Sequence, residues 1–202
     1  MKKILLSVLT ACGVWSAQSA LVQYGVSLSG PNESPANASP GIGFGTVIYD
    51  NASHLLQLQV TFSGLIATNT GTMASHIHAA TAVPGVGTAG VATQTPSFVG
   101  FPLGVTSGSF ANTLDLTLAS SWNPAFITAH NNSIADSETA LANAMAGGQA
   151  YWNIHSGAIP GGEIRGFLVP IPEPSTYLAG ALLFIPFGVH GIRYLRSRKQ
   201  VA

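Results

Sequence analysis

The chain has 202 residues, of which 7% are charged and 47% hydrophobic, with seven basic residues balancing seven acidic ones. That is room for one ordinary domain plus processing segments, and so few charges exclude charged disorder, a coiled coil and a nucleic-acid-binding domain. The neutrality hides a segregation: six of the basic residues lie at the two ends, while residues 21–168 hold Arg165 alone against Glu33, Asp50, Asp115, Asp136, Glu138 and Glu163. An acidic middle repels phosphate backbones and anionic membrane surfaces.

In chain order, Met1-Lys2-Lys3, an apolar stretch from Ile4 to Trp15 and Ala17-Gln18-Ser19-Ala20 read as a secretory signal peptide over residues 1–20. The single cysteine, Cys12, lies inside it. Leu9-Thr10-Ala11-Cys12 also has the form of a lipoprotein box, in which Cys12 would be lipidated, but only eleven residues precede it. The mature chain is then expected to enter an oxidising compartment without disulfides. Residues 21–169 show period-two alternation. Val22, Tyr24, Val26 and Leu28 form one series, Phe44, Thr46 and Ile48 a second, and Leu56, Leu58, Val60 and Phe62 a third; Leu114, Leu116 and Leu118 form a fourth. Turn residues separate them: Gly30-Pro31-Asn32, Asp50-Asn51, Pro84-Gly85 and Pro160-Gly161-Gly162. Residues 134–146 break the pattern. Ile134, Leu141 and Met145 have helical spacing, Ser133 or Ser137 caps the start, and Gly147-Gly148 ends the run. These signals predict an all-β domain, an antiparallel β-sandwich or barrel with one short helix.

Residues 170–202 form a third unit. Pro170, Pro172 and Pro174 forbid regular structure, an apolar helix is expected over 176–192, and a basic tail follows over 193–199. A single-pass membrane anchor accounts for this. The order Pro172-Glu173-Pro174-Ser175, apolar helix, Arg-rich end resembles the PEP-CTERM sorting signal of Gram-negative bacteria that make exopolysaccharide. The resemblance implies a secreted protein, held transiently in the membrane by the C-terminal helix, processed by an exosortase-type enzyme and left at the cell surface or in the extracellular matrix.

Two segments carry chemistry. His76-Ile77-His78 on a strand places both imidazoles on one face; Tyr151-Trp152-Asn153-Ile154-His155 does the same for Tyr151, Asn153 and His155. In the following strand Glu163 and Arg165 stand at i, i+2, candidates for a structural ion pair with each other or with neighbours. Together with Leu28-Ser29-Gly30-Pro31-Asn32-Glu33-Ser34-Pro35, Ser63-Gly64-Leu65 and Pro160-Gly161-Gly162-Glu163-Ile164-Arg165-Gly166, these segments resemble in their order the CHRD domain, first described in chordin. Trp152 and a Gly/Ala/Thr-rich insert near 81–110 depart from the pattern. The resemblance implies a domain type and not an activity. A weaker likeness, to copper/zinc superoxide dismutase, lacks that enzyme's second ligand cluster and its disulfide.

The sequence therefore favours a non-catalytic structural or interaction module of the envelope or exopolysaccharide matrix, without a cofactor, with matrix polysaccharide or matrix proteins as partners and no nucleic acid. The alternative is an extracellular copper- or zinc-binding protein using His76, His78 and His155, since imidazole suits both metals. Its binding is expected to weaken as pH falls through about 6, where free imidazoles protonate. A third reading, a carbohydrate-active enzyme, needs Glu33 and Glu163 to form a carboxylate pair in space.

Overall fold

A computed structural model describes residues 21–172. The signal peptide with Cys12, and the sorting segment beyond Pro172, lie outside the described residues. Among the described residues no helix is long and apolar enough to cross a membrane. The alternating segments form eight strands, β1 (Leu21–Ser29), β2 (Ile42–Asp50), β3 (Leu55–Ser63), β4 (Thr72–His78), β5 (Gly108–Asp115), β6 (Tyr151–Ser156), β7 (Ile164–Phe167) and β8 (Val169–Ile171). They make one antiparallel sheet in the order β4-β6-β7-β1-β2-β3-β5, with β8 laid against β1 through Gln23↔Ile171, Tyr24↔Pro170 and Gly25↔Val169.

The register of this sheet decides what is inside. Along β3 the alternation holds throughout, with Leu56, Leu58, Val60 and Phe62 buried while Gln57, Gln59 and Thr61 face water. Ile77 of β4 and Phe110 of β5, at opposite ends of the strand order, join one hydrophobic core with Trp152, Ile154 and Ile164. A single sheet can bury side chains from both of its ends in one core only by curling, so the expected sandwich or barrel is realised as a half-barrel. The core closes with Phe98, which sits 5.6 Å from both Phe110 and Trp152.

Two elements depart from the sequence reading. The strand expected through Leu118 stops at Asp115, whose carboxylate takes hydrogen bonds from the backbone and the hydroxyl of Thr117 (2.9 and 2.6 Å) and turns the chain. Leu118 is left exposed, and Phe110 and Leu114 are the inward residues of this strand. Besides the expected helix, α2 (Ile134–Ala146), there is a six-residue helix, α1 (Pro124–Ala129). Asn123 caps α1 by accepting from Ala125 N, and Pro124 occupies its first turn, where a missing N–H costs nothing. In α2 the Ser133 hydroxyl accepts from Asp136 N at 3.1 Å, as the capping residues predict.

The Gly/Ala/Thr-rich insert has a structural task. It runs along the free edge of β4, where Ala92 N donates to Ile77 O, Phe98 N donates to Ser75 O, and Ile77 N donates to Thr93 Oγ1. The edge strand is thereby covered, its backbone groups paired, and both of its faces are buried from Ser75 to His78.

Candidate metal centre

The two histidines of β4 alternate with Ile77, which is fully buried in the core, so both imidazoles lie on the opposite face. Strand β6 runs antiparallel beside them with His78↔Tyr151, His76↔Asn153 and Ala74↔His155 as partners. His155 is thus diagonal to His76, within side-chain reach across a strand pair. The rings gather: His76 lies 4.8 Å from His78 and 4.8 Å from His155, centroid to centroid, and His78 lies 6.0 Å from His155. One ring nitrogen from each falls within 4.8 Å of the other two. His76 and His78 are 7% and 8% exposed, and His155 is half-buried.

Hydrogen bonds settle where the protons sit. His78 Nδ1 is 2.8 Å from Ala89 O, and His155 Nδ1 is 2.9 Å from Pro160 O. A carbonyl only accepts, so both Nδ1 atoms carry hydrogen and both Nε2 atoms present lone pairs. His155 Nε2 is met by His76 Nε2 at 2.9 Å. His78 Nε2 is buried without a hydrogen-bond partner, and His76 Nδ1 has none apart from a weak approach to the Pro96 backbone. Burial pushes His76 down to about 3, with the charges of His78 and His155 adding to it and the Pro96 backbone opposing. Burial likewise pushes His78 down to about 4, against the hydrogen bond to Ala89 and with help from His155 and Arg165. Burial lowers His155 too, opposed by Pro160. The expectation of weakening through pH 6 took the imidazoles as free, whereas burial opposes protonation of all three.

Tyr151 stacks on His78 at 4.7 Å with the rings 5° apart, and the Arg165 guanidinium lies 4.7 Å from the centre of the same ring. Since β4 and β7 flank β6, the phenol stands between imidazole and guanidinium. Its hydroxyl accepts from Ala89 N and donates to Ala89 O, the carbonyl that also holds His78. Sequence reading did not single out Tyr151 for this position, although its place on the His155 face was legible.

The remaining candidates are placed elsewhere. Glu163 and Arg165 do not pair with each other. Arg165 Nε is 3.7 Å from Glu33 Oε2 and donates to Asn32 O, and its Nη1 donates to Gly87 O. Glu163 is fully buried, its Oε1 accepting from Ser39 Oγ and Ile66 N at 2.6 Å each. The segment after β1 supplies Asn32 and Glu33 for Arg165 and Ser39 for Glu163, while Gly87 and Ile66 come from later loops, an assembly that no local spacing reveals. Glu33 and Arg165 line a cleft of about 910 Å³ rimmed by Phe44, Val86, Val169 and Ile171, and Glu163 does not reach it. The Glu33–Glu163 pair needed for glycoside hydrolysis is therefore not assembled around a shared opening. His54, in the turn before β3, holds the buried carboxylate of Glu138 at 2.9 Å, and Glu138 also accepts from the Tyr49 hydroxyl at 2.8 Å. His130 binds Phe126 O at 2.8 Å. Of the sorting motif, Pro172 is exposed at the end of β8, and Glu173, Pro174 and Ser175 lie outside the described residues.

No curated protein and no solved structure matches the chain. The family model of the CHRD domain matches residues 24–168. That span runs from the core residue Tyr24 of β1 to the core residue Leu168 after β7 and takes in the rest of β1, all of β2 to β7, all three clustered histidines and the Glu33–Arg165 pair. The chain belongs to the CHRD domain family.

Proposed function

We propose that this CHRD domain is an extracellular metal-binding module that holds copper or zinc through His76, His78 and His155. The observation that carries the reading is the buried, unpartnered Nε2 of His78, in a cluster where two of the three imidazoles already donate Nδ1–H to backbone carbonyls. An outer hydrogen bond of this kind fixes the tautomer and ring orientation of a metal-ligating histidine. An unpartnered buried nitrogen costs roughly 1–3 kcal/mol of desolvation, which an ion would offset. The competing use of the histidines, as fasteners for the loops at Ala89 and Pro160, explains the two carbonyl bonds and leaves His78 Nε2 without a purpose.

Delivery to the envelope or exopolysaccharide matrix belongs to the same proposal. It is supported by the signal-peptide pattern of residues 1–20 and by the Pro172-Glu173-Pro174-Ser175 segment with its apolar and basic continuation, for which an exosortase-type enzyme is the fitting partner. In that setting the domain acts by binding, to metal and to matrix polysaccharide or matrix proteins, rather than by turning over a substrate.

Titration calorimetry on the purified full chain tests the metal reading. Copper(II) or zinc is expected to bind at one site per chain, His78→Ala and His155→Ala to abolish binding, and His54→Ala and His130→Ala to leave it intact. No heat with either metal, or binding that survives loss of both His76 and His78, returns these residues to the role of fasteners.

A further inference from the structure

We infer that the three-histidine site selects copper(I) over the divalent ions copper(II) and zinc. The inference rests on the metal-site reading above and specifies which ion, and which oxidation state, the site is built to keep.

Charge carries the argument. The clustered ligand set is three imidazoles, with no carboxylate or thiolate among them. Two buried acids of the same region are engaged with other partners, Glu33 with Arg165 and Glu163 with Ser39 and Ile66. An ion bound here keeps its full charge in a place where His76 and His78 are 7% and 8% exposed. The cost of burying an ion grows with the square of its charge, so a divalent ion pays about four times the penalty of a monovalent one. Arg165, its guanidinium 4.7 Å from the centre of the Tyr151 ring on which His78 stacks, is balanced by Glu33 at 3.7 Å, so this pair leaves no spare negative charge for the ion.

Coordination number points the same way. Zinc takes four ligands, and copper(II) favours square or tetragonal sets, so either would need at least one further donor from solvent. Copper(I) is satisfied by three imidazoles. Burial of His76 and His78 restricts that extra donor to the side of His155, the one half-buried member. The inference concerns binding alone: no electron is transferred, and copper is supplied in each oxidation state separately.

The experiment is a set of chelator competitions on the full chain. Copper(I) is titrated anaerobically against bicinchoninate; copper(II) and zinc are titrated in parallel against chelators of graded strength. Copper(I) is expected to bind at least about a hundredfold more tightly than zinc or copper(II). Ala74→Asp sets a carboxylate beside His155, its cross-strand partner. It should shift the ratio toward the divalent ions by at least about tenfold. Ala74→Asn, of the same shape without the charge, should leave the ratio unchanged, and thermal unfolding of both variants checks that the fold is kept. Equal or tighter binding of zinc or copper(II) in the unaltered chain overturns the copper(I) inference while leaving the metal site standing, as does an Ala74→Asn shift equal to that of Ala74→Asp. If none of the three ions binds, the metal-site reading itself falls.

Discussion

At Gly162 the backbone takes φ +134°, and a methyl group added there would lie 2.6 Å from Asn153 Nδ2 and 2.7 Å from Glu33 Oε1. Strained backbone of this kind costs a side chain roughly 1–3 kcal/mol before any clash is counted. Gly161, one residue earlier, has open space around it. Gly162→Ala is therefore expected to lower stability by about 3 kcal/mol or more, and Gly161→Ala by less than about 0.5 kcal/mol. Urea unfolding that finds the two variants equal removes the close approach as the reason for this glycine. The same spot concerns Glu33. Its Oε1 and the Asn153 Oδ1 lie within 3 Å of the one point, both are acceptors, and both are buried without partners. A proton on Glu33 turns one of them into a donor. Burial pushes Glu33 up to about 7, with Arg165 and the Ser34 backbone pulling back. Between the ordinary carboxylate range and about 7 the native state thus holds a proton that the unfolded chain has released. Stability from this group is full below pH 4.5 and falls as pH rises to about 7. The buried histidines act in the opposite sense, since their folded values are depressed and their contribution is lost as pH falls below about 6.5. The difference between the native chain and Glu33→Gln isolates the carboxyl: the native chain should lose stability relative to the variant across that window. A difference that stays constant from pH 4.5 to 7 would mean that Glu33 is not the group titrating.

The elements divide by how much of their logic is local. Strand β3 was legible because period-two alternation is set by the pleat and needs no partner to be seen. Leu58 is 2% exposed and Gln59 faces water. Leu58→Asp buries a lone charge and should unfold the domain; Gln59→Asp should cost under about 1 kcal/mol. Equal midpoints in urea would refute the inward assignment of that strand. Helix α2 was legible from its cap and its terminating glycines. The end of β5 was not, because three leucines at alternate positions extend the pattern past the point where Asp115 binds Thr117 and stops the strand. Helix α1, with six residues, is too short to show a period. The insert that covers β4 was seen only as a compositional oddity. Its function is to pair with an edge whose existence depends on the whole strand order.

Across the molecule, the histidine cluster was half visible. That His76 and His78 share a face follows from one strand. That His155 meets them requires β4 to pair with β6 across a separation of 79 residues, in a register that sets His155 diagonal to His76 and lets the two rings meet at 2.9 Å. The Glu33–Arg165 pair joins residues still further apart, and for that reason the sequence offered Glu163, two positions away, as the partner instead. The CHRD resemblance supplied the order of the segments but not their pairing.

The short strand β8 brings the exit of the domain back beside its entrance, with Ile171 opposite Gln23 and Val169 opposite Gly25. A load applied between residues 21 and 172 therefore pulls β8 sideways off β1, breaking its backbone bonds one pair at a time. A load between residues 21 and 63 acts along the strands instead, because β1 and β3 run parallel on either side of β2 and those residues lie at opposite ends of them. Single-molecule pulling should find the first geometry yielding at a clearly lower force than the second, with an early small extension as β8 peels away. Rupture at equal force in both would show that β8 is not the first strand to go. Tethered by both ends, the domain would behave as a weak link that gives before the rest of the sheet is stressed.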